Sequence, residues 1–120
     1  MNKSYTSIEQ SKKLAKILTN KSADNVIVLF GSRDGVKTVV MPSETLNTIR
    51  TPFSDIKEVI NCWSLAALLS VLPDYTLQTN TDGTVFVVCD SKKPMISDAH
   101  SNPIDACVEM ILKLHELNLL

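Results

Sequence analysis

The sequence predicts an α+β domain, because helical patterns alternate along the chain with two stretches that have the signature of a β-hairpin. Each signature is an Asp-Gly pair between runs of β-branched and apolar residues, at 34–35 and at 82–83. Apolar residues at helical spacing occur before, between and after these hairpins. We therefore expect the order helix, hairpin, helix, hairpin, helix. The four strands would form one largely antiparallel sheet packed with about three helices, in a single domain over residues 1–120.

The composition is that of an ordinary globular protein. The chain has 120 residues, of which 44% are hydrophobic and 21% charged, with a net charge of -1. This length buries a core without metal or disulfides, and the charge favours neither nucleic acid nor an anionic membrane. Three cysteines without CxxC spacing, and an N-terminus without a signal-peptide core, predict a cytoplasmic protein that does not enter a membrane. Nothing in the sequence indicates a cofactor.

The first helix is predicted from its capping residues. Ser7 and Gln10 have the spacing of a capping box, as have Thr6 and Glu9. Apolar residues at helical spacing continue from there, and we expect the helix to end by Asn20. Its lysines face water, although a weak phosphate-binding face is the alternative; they are Lys12, Lys13 and Lys16.

The first hairpin is apolar on both faces. With residues 34–35 as the loop, Phe30 pairs with Val39, and Met41 lies on the same face. Both faces of such a hairpin are covered by the protein or meet a partner, and we expect a covered, central position. The alternative is an interface with a second subunit. The possible interface residues are Phe30, Val39 and Met41, together with Leu119 and Leu120 of the apolar C-terminus.

Residues 42–61 carry the weakest pattern, and we interpret most of them as loop. Ser54 is expected to cap one helical turn, through Asp55, Ile56, Glu58 and Val59. The run from Cys62 to Pro73 is apolar on nearly every side, which predicts a helix that is buried all round. It would begin near Cys62 or Ser64 and end at Pro73, with the rest of the chain packed around it.

The second hairpin is predicted to be half-buried. With Asp82 and Gly83 as its loop, two cross-strand pairs form its inner face; they are Leu77 with Val88, and Thr79 with Phe86. Residues 90–101 then read as a polar connection.

The last helix has the clearest start. Asn102 is a favourable N-cap, Pro103 suits the first helical position and Asp105 complements the positive end of the helix dipole. One apolar stripe at helical spacing predicts its buried face; it comprises Ile104, Cys107, Val108, Ile111, Leu114 and Leu117.

Three blocks of the sequence resemble a group of short uncharacterised proteins from gut Bacteroidetes. They are residues 5–14 with 22–24, residues 62–69 (CWSLAALL) with 72–73, and residues 102–103 with 105–111 (DACVEMI) and 113–120 (KLHELNLL). The blocks cover a little under half of the chain, and residues 25–60 do not align. The group is similar in character to accessory products of phage-like or other mobile elements. The resemblance implies no biochemical activity and no site residue.

Two kinds of chemical site are weighed against core packing. A cysteine nucleophile needs a thiolate, a histidine base and an orienting group. The residues that could supply them are Cys89, Cys107 or Cys62, with His100 or His115 and with Asp90 or Asp98; Cys89, at the end of a strand, is the strongest of the three cysteines. The same acidic residues with His100 are a weak metal-ligand pattern, because structural zinc favours four ligands in pairs. The glycine spacing at 31–35 fits no nucleotide motif. Core packing is the favoured interpretation of Cys62 and Cys107.

The leading functional hypothesis is therefore an accessory protein that acts by protein–protein interaction or self-association, with a homodimer as one form. A cysteine-dependent enzyme using Cys89 with His100, and weak nucleic-acid binding, are the alternatives. No metal site is predicted.

Overall fold

The described part of the chain contains six strands in two sheets. A computed structural model describes residues 3–32, 35–48, 56–90 and 94–120. Within these ranges the chain is α+β, as predicted, with four α-helices and two three-stranded antiparallel sheets. The single four-stranded sheet with three helices was therefore wrong. The chain forms two compact units, residues 7–63 and residues 64–120 with the N-terminal residues up to Thr6.

The first unit begins with helix α1, Ile8–Leu14, and its predicted cap is confirmed. Ser7 Oγ accepts a hydrogen bond from the Gln10 N–H at 3.1 Å, and the Ser7 N–H donates to Gln10 Oε1 at 3.0 Å. The helix ends at Leu14, within the predicted limit of Asn20, and Asn20 starts a single 3-10 turn, Asn20–Ser22.

The sheet of the first unit has the order β2-β1-β3. Its strands are β1, Asn25–Ser32, β2, Gly35–Pro42, and β3, Ile56–Cys62, with helix α2, Ser43–Thr48, between β2 and β3. The predicted helical turn through Ile56, Glu58 and Val59 was wrong, because these residues belong to β3; Ser54 and Asp55 lie outside the described residues. In β3, alternation places Ile60 and Cys62 on one face, which a helix would not do.

The register of the first hairpin differs from the predicted one by two residues. Phe30 lies opposite Lys37, and Val39 lies opposite Val28. Ser32 pairs with Gly35, so Gly35 belongs to the strand; Asp34 lies outside the described residues. Because the shift is even, each side chain keeps its predicted face. The central strand β1 is covered on both faces, as expected, but β2 is exposed along nearly its whole length.

Side chains of β1 and β3 form a core cluster on one face of this sheet. It consists of Ile27, Ile60 and Cys62, with Leu29 packed against it. After β3, the Trp63 indole N–H donates to Ser22 Oγ at 2.9 Å. This bond ties the 3-10 turn to the end of the sheet.

The second unit has the sheet order β4-β5-β6. Its elements are helix α3, Leu65–Val71, β4, Tyr75–Thr79, β5, Val85–Asp90, β6, Pro94–Ile96, and helix α4, Pro103–Glu116. Ser64 is the N-cap of α3 and accepts the Ala67 N–H at 3.3 Å. The expected burial of α3 on all sides was wrong, because Ala66 and Ser70 are exposed while Ala67 and Leu68 are buried.

Helix α4 contributes seven buried residues to the second unit and packs against α3 and β5. Its predicted cap is confirmed, since Asn102 Oδ1 accepts the Asp105 N–H at 2.9 Å and Pro103 occupies the first turn. Its buried residues include the predicted stripe except for exposed Leu117; they are Ile104, Ala106, Cys107, Val108, Met110, Ile111 and Leu114.

The C-terminus of α4 ends in a Schellman motif. Asn118 has φ 58°, its N–H bonds to the His115 carbonyl at 3.0 Å, and the Leu119 N–H bonds to the Leu114 carbonyl at 2.8 Å. These bonds place Leu119 back along the helix, where it is half-buried.

The second hairpin is one residue out of the predicted register. Leu77 pairs with Val87 rather than Val88, and Gln78 rather than Thr79 pairs with Phe86. A one-residue shift moves every side chain to the other face. Val87 and Cys89 are therefore fully buried, whereas Phe86 and Val88, predicted on the inner face, are only half-buried.

Residues predicted as polar connection add a third strand, β6, to this sheet. Ile96 pairs with Val88, and His100 then pairs with Val85 through two backbone hydrogen bonds of 2.8 Å. Three residues lie between Ile96 and His100, whereas only two lie between Val85 and Val88 on β5. The extra residue is a β-bulge.

Candidate functional site

Strand β2 is an open edge of the first sheet. Among the described residues it pairs with β1 on one side, and no strand pairs with it on the other. Its exposed apolar side chains are Val36, Val39 and Val40, whose accessible fractions are 65%, 43% and 37%. Long, exposed, apolar edge strands are templates for pairing with a further strand.

The backbone hydrogen bonds between β1 and β2 show which groups of β2 face outward. The Ser43 N–H donates to the Asp24 carbonyl at 3.1 Å, in line with the register of β1 and β2. Hydrogen-bonded and non-bonded positions alternate in an antiparallel pair, so Val39 also bonds to β1. The N–H and C=O groups of Val36, Thr38 and Val40 therefore point away from the sheet. We call these three residues the β2 edge.

Pro42 lies at the next outward position of β2. Because proline has no N–H, this position leaves no backbone donor unpaired, as is typical of edge strands. The β2 edge thus offers three N–H donors within eight residues.

The predicted interface residues divide between the two units. Val39 is exposed, whereas Phe30 and Met41 are half-buried on the same face of the first sheet. In the second unit, Leu119 is half-buried and Leu120 is exposed. The prediction omitted Val36 and Val40, because it placed the hairpin at the centre of a sheet; no local pattern distinguishes a central hairpin from an edge.

The environment of Cys89 does not favour a nucleophile. Cys89 is fully buried, and its burial, with a smaller effect of the Asp74 charge, raises the pKa of the thiol. His100 pairs with Val85, which lies four residues before Cys89 on β5. At the rise of a strand, this separation along β5 is about 13 Å. A reactive cysteine needs a lowered pKa and access to solvent.

The other two cysteines are likewise buried. Burial, with a smaller effect of Asp24, raises the pKa of Cys62 to about 11. Burial, with a smaller effect of Cys89, raises the pKa of Cys107 to about 12. All three cysteines are free thiols, and core packing explains each of them.

His100 and Asp98 meet a residue that the sequence did not single out, Glu109 of α4. Glu109 Oε1 lies 2.7 Å from His100 Nε2, and Oε2 accepts the Asp98 N–H at 2.9 Å and lies 3.0 Å from Lys113 Nζ. We call these four residues the Glu109 cluster. The only sequence pattern that indicates this cluster is the i,i+4 spacing of Glu109 and Lys113, which is typical of an ion pair on a helix.

The Glu109 cluster attaches the bulged segment after β6 to α4. Burial alone would raise the pKa of Glu109, but the hydrogen bonds from Asp98, His100 and Lys113 outweigh it and lower the pKa to about 2. The hydrogen bond to Glu109 also raises the pKa of Lys113. A carboxylate held ionised by three donors is a structural anchor rather than a proton-transfer group. Within the described ranges, no three His, Cys, Asp or Glu side chains are grouped as metal ligands.

The lysines of α1 are partly neutralised. Lys12 Nζ lies 3.8 Å from Glu58 Oε2, and Lys13 Nζ lies 3.5 Å from Glu9 Oε1. These ion pairs weaken the case for a phosphate-binding face. No helix in the described part of the chain has the length and apolarity needed to cross a bilayer.

Comparison of the chain with protein-family models, with curated proteins and with solved structures gave no match.

Proposed function

We propose that the protein acts by protein–protein interaction and binds an extended polypeptide strand at the β2 edge. The observation that carries this proposal is an eight-residue edge strand with three exposed valines, whose outward backbone groups pair with no strand among the described residues. In strand addition, backbone hydrogen bonds provide affinity, and side-chain contacts at alternating positions provide specificity.

The other candidate residues support strand binding over a cysteine-dependent enzyme. The buried thiols have raised pKa values, and the Glu109 cluster is saturated by its own donors. Neither arrangement provides a reacting group with access to a substrate. The β2 edge, in contrast, is open and apolar.

Thr38→Pro tests the proposal directly. The Thr38 N–H faces outward, so this proline removes a donor from the edge while the bonds between β1 and β2 remain. We expect the variant to keep the circular dichroism of the wild type. As bait for pull-down and mass spectrometry, it should lose the partner that the wild-type bait captures, or lose its own self-association in sedimentation velocity.

Two further variants guard against misfolding and nonspecific effects. Val40→Lys changes a side chain of the β2 edge without a backbone change, and should weaken the same complex. Leu117→Lys removes an exposed apolar residue of the second unit, 49% accessible, and should leave the complex intact. Equal binding by wild type and both edge variants, or no binding by any of them, would contradict the proposal.

A further inference from the structure

We infer that the strand bound at the β2 edge is the β2 strand of a second copy, paired antiparallel about a two-fold axis at Val39. This inference rests on the proposed function and names its partner. The result is a continuous six-stranded sheet with the order β3-β1-β2 followed by β2-β1-β3 of the second copy. A two-fold axis between identical strands is the commonest symmetry of homo-oligomers.

The outward backbone groups suit this register. Thr38 lies opposite Val40 of the second copy, and each residue of such a pair donates one N–H and accepts one. Val36 lies opposite the second copy's Pro42, where the Val36 N–H meets the proline carbonyl. Every N–H of the β2 edge is then used, and the absent N–H of Pro42 creates no unsatisfied donor.

The side chains also match. Val39 meets the second copy's Val39, and Lys37 lays its aliphatic stem beside the second copy's Met41 on the same face. On the opposite face, Val40 meets Thr38. Contacts between β-branched side chains directly across an antiparallel pair are stabilising.

The charges at the two ends of β2 are opposite, and this favours a second copy in antiparallel orientation. Near Gly35 the strand carries Lys37, and the Lys57 side chain covers neighbouring Gly31, where a Cβ would lie 2.6 Å from its Cε. At the other end, Glu44 follows the strand, and Asp24 lies beside Ser43, whose N–H donates to the Asp24 backbone carbonyl.

An antiparallel pair centred on Val39 brings the positive end of each copy toward the acidic end of the other, within about a Debye length. It also separates the two copies of Lys37 by four residues along the strand. An axis at Lys37 would instead place the two ammonium groups directly opposite, and like charges there are destabilising.

Disulfide trapping tests the register. In this arrangement Val39 forms a non-bonded pair with its own copy, with Cα atoms about 4.5 Å apart, within the range of a disulfide. Val39→Cys should therefore form a disulfide dimer under mild oxidation, seen on a non-reducing gel. The wild type is the background control, because Cys62, Cys89 and Cys107 are buried.

Val36→Cys is the matched control, since Val36 is more exposed than Val39 but lies opposite Pro42 of the second copy. Random collision would favour cross-linking of Val36→Cys, whereas the proposed dimer favours Val39→Cys. Thr38→Cys locates the axis: its preferential cross-linking would overturn the register centred on Val39.

Sedimentation equilibrium provides the second readout. We expect the wild type to dimerise over a range of about 1 to 200 µM, and Val39→Lys to weaken the dimer by at least about tenfold, because it places two like charges together. Higher salt should weaken the wild-type dimer as well.

A wild type that stays monomeric with no Val39→Cys cross-link would overturn the second copy as partner. If its bait still captured a protein that Thr38→Pro loses, the proposed strand-binding function would survive. If neither the wild-type bait nor the Thr38→Pro bait captured a partner, both the strand-binding function and the second copy as partner would be overturned.

Discussion

The hydroxyl of Ser97 replaces a backbone carbonyl in the ladder beside β5, where it accepts a hydrogen bond from the Val87 N–H at 2.9 Å. The Ser97 N–H donates to the Val87 carbonyl at 2.9 Å, and the Ser97 hydroxyl donates to the Asp98 carbonyl at 2.9 Å. Ser97 is buried. This one side chain therefore satisfies the donor that the β-bulge would otherwise leave unpaired in the interior.

Ser97→Ala should destabilise the protein by about 1–3 kcal/mol, because it leaves the buried Val87 N–H without an acceptor. Urea unfolding followed by circular dichroism measures the change. The control is Ser70→Ala, which removes a hydroxyl bonded to the Ala67 carbonyl at an exposed position of α3 and should cost much less. Equal losses in the two variants would show that the bulge does not depend on the Ser97 hydroxyl.

Because the pKa of Glu109 is lowered on folding, the free energy of unfolding should decrease at acidic pH. The Glu109 pKa of about 2 in the folded protein lies below the ordinary value of 4.5, so the unfolded chain binds the proton more readily. The stabilisation is complete above about pH 4.5 and is lost as the pH falls toward 2, with a total of at most about 3 kcal/mol.

Glu109→Gln should remove this part of the pH dependence and be less stable than the wild type at neutral pH. Urea midpoints measured from neutral pH down to about pH 2.5 provide the test. Glu116→Gln, at an exposed position of the same helix, is the control and should leave the acid profile unchanged. A Glu109→Gln profile parallel to that of the wild type would contradict the assignment.

The turn of the second hairpin requires a left-handed glycine. Gly83 has φ +88°, its N–H donates to the Asn80 carbonyl at 3.0 Å, and the Asn80 N–H donates to the Thr84 carbonyl at 2.7 Å. Gly83→Ala should therefore cost about 1–2 kcal/mol of strain. Gly31→Ala is the control, since Gly31 has no such φ and an added Cβ meets only the flexible end of Lys57. In thermal melts, we expect Gly83→Ala to have a lower Tm than Gly31→Ala.

The local start signals of the helices were predictable from the sequence, whereas the pairing of strands was not. Ser7 with Gln10, and Asn102 with Pro103, act within one turn of helix, so their residue types determine the outcome. In the second hairpin, Asp82 accepts bonds from the Thr84 N–H at 3.0 Å and the Thr84 hydroxyl at 2.6 Å.

These contacts produce a three-residue loop, 81–83, closed by Asn80 and Thr84, rather than the two-residue loop that Asp-Gly usually indicates. The odd loop length moved Val87 and Cys89 into the core in place of Phe86 and Val88.

The candidate site depended on information that lies outside β2 itself. Residues 36–41 read equally well as a central or an edge strand, because their exposure depends on where β3 pairs. β3 was missed because Lys57, Glu58 and Asn61 dilute its apolar pattern. Its pairing with β1 leaves β2 at the edge.

The three cysteines should react slowly with thiol reagents while the protein is folded. Burial removes access, and the raised pKa values of Cys62, Cys89 and Cys107 leave little thiolate at neutral pH. Titration with an aromatic disulfide reagent should show three thiols in denaturant and nearly none without it. Rapid reaction of Cys89 alone in the folded protein would instead revive the cysteine-enzyme hypothesis.

Leu68 of α3 should be one of the most sensitive apolar positions. It is fully buried, and Leu68→Ala should cost about 2–5 kcal/mol, the range for a cavity in a packed core. Neighbouring Leu69 is only half-buried, so Leu69→Ala should cost clearly less from the same change in side chain. Urea unfolding of both variants separates the effect of the cavity from the effect of helix propensity, which is equal in the two. If Leu68→Ala lost no more stability than Leu69→Ala, α3 would not pack its Leu68 face tightly into the core.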